Sequence, residues 1–411
     1  MKVLHVNCVY KKGSTGKIVN DIHVELKKQN IESVVCYGRG DEIKDSNVYK
    51  FCREFEANVH TAIIRTGLIL NYGGSYIPTQ RLINIINQER PDIVHVHCIN
   101  GSCVNIYKLF AFLATSNTKT VITHHAEFYY TGSCEHAYDC KQFMRAEGCK
   151  HCARPFVTTR SKTWDNSARA WKNMYEAINK FSYENLLFTA VSPWLKERSA
   201  LSPIVNRYRC DVVMNGVDAS VFYNKTIENI IDKRLNKHFD SKVLFVGAHF
   251  NPSKKEDNKG GWYVVELAKQ MPKVLFVVVA LRSIDCTNLP PNIVLWGASK
   301  DQKELASLYC SADLTLITSK RETFSMICAE SLCCGTPVVG FKAGGPESIA
   351  IPKYTDFVDY GNIEMLEQSM ERILSKKLEA SEISQKAADK YSRKVMVNNY
   401  MNVYKQITQC T

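Results

Sequence analysis

What most constrains this chain is a repeated alternation: short runs of β-branched residues separated by longer amphipathic segments, from one end to the other. A strand, a helical crossover and another strand is the pattern of a parallel sheet wrapped by helices. In the first half the strand candidates are Lys2–Asn7, Ser33–Tyr37, Asp92–His97, Thr120–His124, Leu186–Val191 and Asp211–Met214. In the second half they are Lys242–Gly247, Val274–Ala280, Asn292–Trp296, Leu314–Thr318 and Pro337–Phe341. Each set suffices for one doubly wound domain, so an α/β protein with two Rossmann-like domains is expected, with ligands beyond the carboxyl ends of the strands. At 411 residues the chain is long enough for two separate cores.

The join is expected between Asn215 and Asp240, where an Asn-Gly turn leads into a polar, strand-poor stretch. The expected domains are 1–220 and 221–387, with a helix over 388–411 crossing back to the first. A cysteine-rich loop, 127–155, and a helical insert, 162–184, interrupt the first domain. Helical spacing puts Trp164, Ala168, Trp171, Tyr175 and Ile178 on one face of that insert, as a packing stripe and only secondarily a membrane or acceptor surface.

A hydrophobic fraction of 45% and a charged fraction of 23% are those of an ordinary globular protein. Met1-Lys2 runs straight into a strand, and the apolar run Ala62–Leu70 is short and broken by Arg65, so a cytoplasmic protein is expected. The net charge of +12 suits a nucleotide phosphate, or peripheral attachment to the anionic inner face of the cytoplasmic membrane. Its basic residues are dispersed and form no nucleic-acid module, so nucleic acid is not an expected partner.

Arg321 to Val339, RETFSMICAESLCCGTPVV, is the most informative segment. It reads as a loop, a helix N-capped by Thr323 and ended at Gly335, then a strand after Pro337. The free N–H groups of such a helix favour a phosphate. Glu322 lies just outside that N-terminus, and Glu330 follows about two turns along. Flanked by Cys328, Ala329, Leu332 and Cys333, the Glu330 carboxylate needs donors, which ribose hydroxyls supply.

This segment resembles the signature of retaining glycosyltransferase family 4: Glu322, Glu330, Gly335, Pro337, Val338 and Val339 stand at the spacing Glu-x7-Glu, Gly, x, Pro, Val, Val. Gly344-Gly345-Pro346-Glu347 is similar to the family's Gly-Gly-x-Pro-Glu loop, shortened by one residue. Asn215-Gly216-Val217-Asp218 and Lys259-Gly260 match further landmarks, so the resemblance spans most of the chain. It implies the GT-B fold, two Rossmann-like domains facing a central cleft, and a metal-independent retaining transfer from a nucleotide sugar, with UDP the default base. Glu322 would then contact the transferred sugar and Glu330 the donor ribose. Backbone N–H groups of Thr323, Phe324 and Ser325 would hold the diphosphate, with Lys259 neutralising it. The family's arginine after the first strand of the second domain is replaced by Ala248, leaving Lys254 or Lys255 to substitute.

Gly13-Ser14-Thr15-Gly16 has neither dinucleotide-fingerprint nor Walker spacing. Within the resemblance it is similar to a Gly-Ser-Thr-Gly loop that faces donor phosphate and acceptor. THHAEFYYTGSC, Thr123 to Cys134, resembles a Thr-Leu-His-Asp segment followed by Thr-Gly-x-Cys in capsule, exopolysaccharide and O-antigen enzymes. That register selects His125 as a catalytic sugar contact, and implies a glycan or lipid-linked glycan acceptor. The family aspartate is Ala126 here, so its role is lost or moved to Glu127. His95 and His97 are expected at the end of a buried strand.

Sixteen cysteines in a chain with no export signal suggest reduced thiols. Cys134, Cys140, Cys149 and Cys152, spaced C-x5-C-x8-C-x2-C, are open to three readings: a structural zinc, free thiols, or disulfides, with His136 and His151 as spare ligands. No carboxylate set for a catalytic Mg²⁺ accompanies the diphosphate residues. Two rival functions share these features: a nucleotide-sugar epimerase of the same fold, and a sugar-nucleotide-binding protein with a degraded site.

Overall fold

The structure, a computed structural model, describes residues 1–236 and 239–409. The expected join includes residues 237 and 238, and the expected C-terminal segment includes 410 and 411; these four lie outside the described residues. The chain divides into unit 1, residues 1–214 with 396–411, and unit 2, residues 215–395.

Unit 1 carries β1 (Lys2–Val9), β2 (Glu32–Arg39), β3 (Val48–Lys50), β4 (Ile93–Val96), β5 (Lys119–His124), β6 (Leu186–Ala190) and β7 (Cys210–Val212). Their order is β3-β2-β1-β4-β5-β6-β7, parallel throughout. Unit 2 carries β8 (Lys242–Gly247), β9 (Leu275–Ala280), β10 (Ile293–Gly297), β11 (Leu314–Ile317), β12 (Val338–Phe341) and β13 (Thr355–Val358), ordered β10-β9-β8-β11-β12-β13 and also parallel. Strands buried on both faces must be nearly all apolar, which is why these runs stand out in the sequence. β3 and β13 carry no such signal. They are short edge strands, and half or more of each is incompletely buried.

In both units the strand order reverses beside the first strand, between β1 and β4 and between β8 and β11. Ligands of open parallel sheets bind beyond the carboxyl ends at that reversal. The loops there are 10–12 and 97–105 in unit 1, and 248–260 and 318–325 in unit 2.

The last helix, Arg393–Gln409, buries Met396, Val397, Tyr400, Val403, Tyr404 and Ile407 in the core of unit 1, against Val3, Ile22, Ile93 and Val121 among others. Unit 2 has its own core, built from β8, β9 and β11 with Val264, Leu267, Leu366 and Met370 of the covering helices.

The helical insert differs from its expected form. It runs Ser167–Ile178 and buries Ala170, Trp171, Met174, Ala177 and Ile178. Ala168 and Tyr175 face solvent, and Trp164 precedes the helix at 63% exposure. The packing partner sets this face: Gly132 and Gly148 of the cysteine loop press against Trp171, whose Nε1–H donates to the Phe143 carbonyl at 3.4 Å.

Candidate active site

At the reversal in unit 2 the ammonium of Lys259 meets the carboxylate of Glu322 at 2.5 Å, each side chain about one-fifth exposed. The Lys259 loop is held from three sides. Asp257 accepts from the Lys259 N–H at 2.9 Å, and its carboxylate pairs with His249 at 2.8 Å. The Thr318 hydroxyl donates to the Lys259 carbonyl at 2.8 Å. Gly260 follows at φ 69°, and a Cβ there would stand 2.3 Å from the Thr318 carbonyl oxygen, so only glycine fits.

The main chain of Glu322 is clamped by the glycine loop: its N–H donates to Ala343 at 3.0 Å, and its carbonyl accepts from Gly345 at 2.8 Å. A Cβ on Gly345 would lie 2.5 Å from the Phe324 nitrogen. Glu347 accepts from the N–H groups of Ala343 and Gly344 at 2.9 and 2.7 Å. That carboxylate therefore shapes the loop under Glu322.

The following helix begins two residues later than expected, spanning Met326–Cys333. Its cap is Ser325, not Thr323: Ser325 lies in the left-handed region at φ 78° and its hydroxyl accepts from the Cys328 N–H at 3.3 Å. The Phe324 side chain is buried, which leaves that residue only its backbone for a ligand. Glu330 is half-buried on the helix, and the buried phenol of Tyr309 donates to it at 3.4 Å. Burial and the Glu330 carboxylate together push the Tyr309 phenol pKa well above its usual value. Sequence reasoning missed Tyr309, which sits on a separate helix and carries no motif. Among the substitute cations, Lys255 lies over the Trp262 ring at 4.7 Å, and Lys254 and Ala248 are exposed.

At the reversal in unit 1, Gly13, Ser14, Thr15 and Gly16 form the first turn of helix Gly13–Lys28 instead of a loop before it. Asn7, buried at the end of β1, ties this turn down. Its amide donates to the Val9 carbonyl at 2.7 Å and the Thr15 hydroxyl at 3.4 Å, while its oxygen accepts from Cys98 at 2.9 Å.

His124 and His125 part company after β5. His124 packs in the core, stacked on Phe188 at 4.9 Å. His125 is 8% exposed and joins its Nε2 to Nδ1 of His97 at 3.2 Å. Glu127 does not take over the lost aspartate's place. It is fully buried, pairs with Arg198 at 2.6 Å and accepts from Ala137 at 3.1 Å, which anchors the cysteine loop. His5 and His97 are the residues sequence reasoning left out or left in the core; their place beside His125 depends on strand order.

Each cysteine of the described residues is a free thiol. In the loop, burial and the neighbouring thiols push the pKa of Cys149 up to about 12, and Cys134 is raised for the same reasons by Cys149, Cys152 and Cys140. Among the described residues, the group of ligand atoms gathered within 4.8 Å is that of His5, His95 and His97. The four loop sulfurs are not gathered to that spacing, whereas a tetrahedral zinc at Zn–S of about 2.3 Å requires still closer sulfurs.

Two doubly wound units, the second with a Lys–Glu pair joining the loops after β8 and β11, define a two-domain α/β protein of the GT-B type. The profile of Glycosyltransferase Family 4 matches residues 15–221, and that of Glycosyl transferases group 1 matches residues 264–394. The chain belongs to glycosyltransferase family 4. It is 22% identical to an uncharacterised 41.2 kDa protein in the cps region of Klebsiella pneumoniae, over 98% of this chain and 99% of that one. Its fold matches sucrose-phosphate synthase of Thermosynechococcus elongatus with a TM-score of 0.69 at 13% identity, covering both chains fully. It also matches Anabaena Alr3699/HepE, solved in complex with UDP-glucose, with a TM-score of 0.62 at 15% identity over 99% of this chain and 100% of that one.

Proposed function

We propose that this glycosyltransferase moves a sugar, with retention, from a UDP-sugar to a glycan acceptor, and that the acceptor is a lipid-linked oligosaccharide of bacterial surface polysaccharide assembly. The observation that carries the donor half is the Lys259–Glu322 pair, whose glutamate lies in the loop leading into the helix bearing Glu330. Lys259 and the N–H groups of Thr323, Phe324 and Ser325 hold the diphosphate, where charge builds as the glycosidic bond breaks. Glu330 accepts from the ribose hydroxyls, and Glu322 contacts the transferred sugar. The acceptor hydroxyl attacks the anomeric carbon on the face the diphosphate leaves, and its proton goes to the departing phosphate oxygen. Lysine and helix N–H groups carry the charge, so the reading requires no metal ion. Gly13, Ser14, Thr15, Gly16 and His125 serve the acceptor and the sugar from unit 1. The HepE complex with UDP-glucose and the cps-region relative support the donor class and the setting.

The acceptor class favours a place at an anionic membrane face. Among the described residues no helix is long and apolar enough to cross a membrane. Leu68, Tyr76, Lys108 and Arg169 of unit 1 line a hollow of about 470 Å³. Leu68 and Tyr76 are 71% and 61% exposed, and Trp164 abuts Gly67. Apolar side chains beside cations suit a surface of anionic lipid.

Calorimetry with UDP-, GDP- and ADP-sugars on the wild type and on Glu330→Gln tests the donor site. Saturable binding of UDP-sugars, weakened in the variant, is expected. Equal affinity in both proteins removes Glu330 from the ribose. Isomerisation of the donor without acceptor would instead establish an epimerase, and no binding a degraded site.

A further inference from the structure

Three histidines of unit 1 form a buried chain of hydrogen bonds that ends at His125. His5 on β1 joins its Nδ1 to Nε2 of His97 at 3.1 Å, and His97 joins its Nδ1 to Nε2 of His125 at 3.2 Å. His5 and His97 are wholly buried. His95 stands beside them, its ring 3.8 Å from that of His97, but outside the chain. Both its nitrogens are engaged, one by the Tyr404 hydroxyl and one by the Thr123 hydroxyl, each at 2.7 Å.

Burial holds all three chain members below the ordinary imidazole pKa: His5 at about 3, His125 at about 4, and His97 well below it. At neutral pH each ring therefore has one N–H and one lone pair. One proton occupies each link, so the direction of the first link sets the second. In one direction His5 donates from Nδ1 to His97, and His97 donates from Nδ1 to His125. In the other, His125 donates from Nε2, His97 passes on from Nε2, and His5 must carry its proton on Nε2. The His5 Nε2 is buried with no hydrogen-bond partner. An unpaired buried N–H is rarer and costlier than an unpaired buried acceptor, which selects the first direction.

We propose that His5 and His97 are positioning residues that lock His125 in the Nδ1–H tautomer, its Nε2 lone pair held by His97. The inference rests on the reading of His125 as a sugar contact. It denies His125 the part of a general base through Nε2, whose lone pair His97 already holds. That agrees with a transfer in which the departing phosphate takes the acceptor proton.

The test is a long-range proton–nitrogen correlation spectrum of the full chain labelled with ¹⁵N-histidine, with His125 assigned by its loss in His125→Asn. The expected wild-type result is an unprotonated Nε2 and a protonated Nδ1 on His125, which needs no folded variant to read. In His97→Phe the single tautomer should give way to a mixture, and His97→Asn, whose amide donates from the place of Nδ1, should restore it. A protonated Nε2 in the wild type, or a His125 signal indifferent to His97→Phe, overturns the proposal. So does one metal ion per purified chain whose chelation alters the His5 and His97 signals. Sugar transfer that survives His125→Asn would remove the sugar contact and leave the tautomer result standing, so the two failures are distinguishable.

Discussion

The hydroxyl of Tyr404 lies 2.7 Å from Nδ1 of His95, joining residues 309 positions apart. Both are fully buried, and the other His95 nitrogen bonds Thr123 at 2.7 Å. The C-terminal helix is thus tied to β4 by a polar contact inside an apolar core. Tyr404→Phe keeps the ring and leaves His95 short of a partner, which should lower the stability of unit 1 by about 1–2 kcal/mol. Urea unfolding followed by circular dichroism reads this, and an unchanged midpoint would show that the contact contributes nothing.

The Lys259–Glu322 pair predicts opposite effects of its two halves. If Lys259 holds the diphosphate as proposed, Lys259→Ala should weaken UDP binding by about 1.5–3 kcal/mol. Glu322→Gln removes the carboxylate that competes for that cation. It should tighten UDP by about 0.5–1 kcal/mol while reducing sugar transfer about a hundredfold. Calorimetry and a transfer assay separate the two, and weaker UDP binding in both variants would sink the assignment.

Glu330→Gln keeps the shape of the side chain and removes its charge. A ribose contact predicts a loss of about 1.5–3 kcal/mol in affinity for the whole nucleotide, with no loss for the free sugar. Tyr309→Phe removes one donor from the carboxylate and should cost about 1 kcal/mol of the same affinity. A Tyr309→Phe protein that binds like wild type would show that the 3.4 Å contact does not orient Glu330.

Acid should destabilise unit 1 well before ordinary carboxylates titrate. His5 and His124 are held at about 3 and His23 and His125 at about 4, because burial penalises the imidazolium. Each folded pKa is below the unfolded value of 6.5, so the unfolded chain binds more protons. The stability these groups contribute is whole above about pH 6.5 and is lost as pH falls toward their folded values, at no more than about 1.4 kcal/mol per pH unit for each histidine. Urea midpoints that stay flat between neutral pH and about pH 5 would contradict this.

Attachment to an anionic membrane face predicts co-sedimentation with phosphatidylglycerol vesicles and little with phosphatidylcholine. Leu68→Ser and Trp164→Ser should each weaken it about tenfold, the size of one buried apolar side chain. Binding unaffected by either substitution would move the surface elsewhere or remove it.

Much of this protein was legible in its order of residues. Apolar runs located the long strands, because strands buried on both faces admit little else. The spacing of Glu322, Glu330, Gly335 and Pro337 marked a helix between a loop and a strand, since those signals are local. Short edge strands such as Thr355–Val358 escaped for the converse reason, being half-exposed and mixed in polarity. The cap at Ser325 escaped because it depends on the glycine loop pressing on Phe324.

What only the tertiary structure decided is who meets whom. Lys259 reaches Glu322 across 63 positions, His5 reaches His97 across 92, and Glu127 turns inward to Arg198 across 71. Periodicity states which face of an element is buried, but a side chain's partner depends on strand order and register. Those are set by how the sheets assemble, so a histidine that local pattern assigns to the core becomes, beside β1 and β5, the neighbour that orients another.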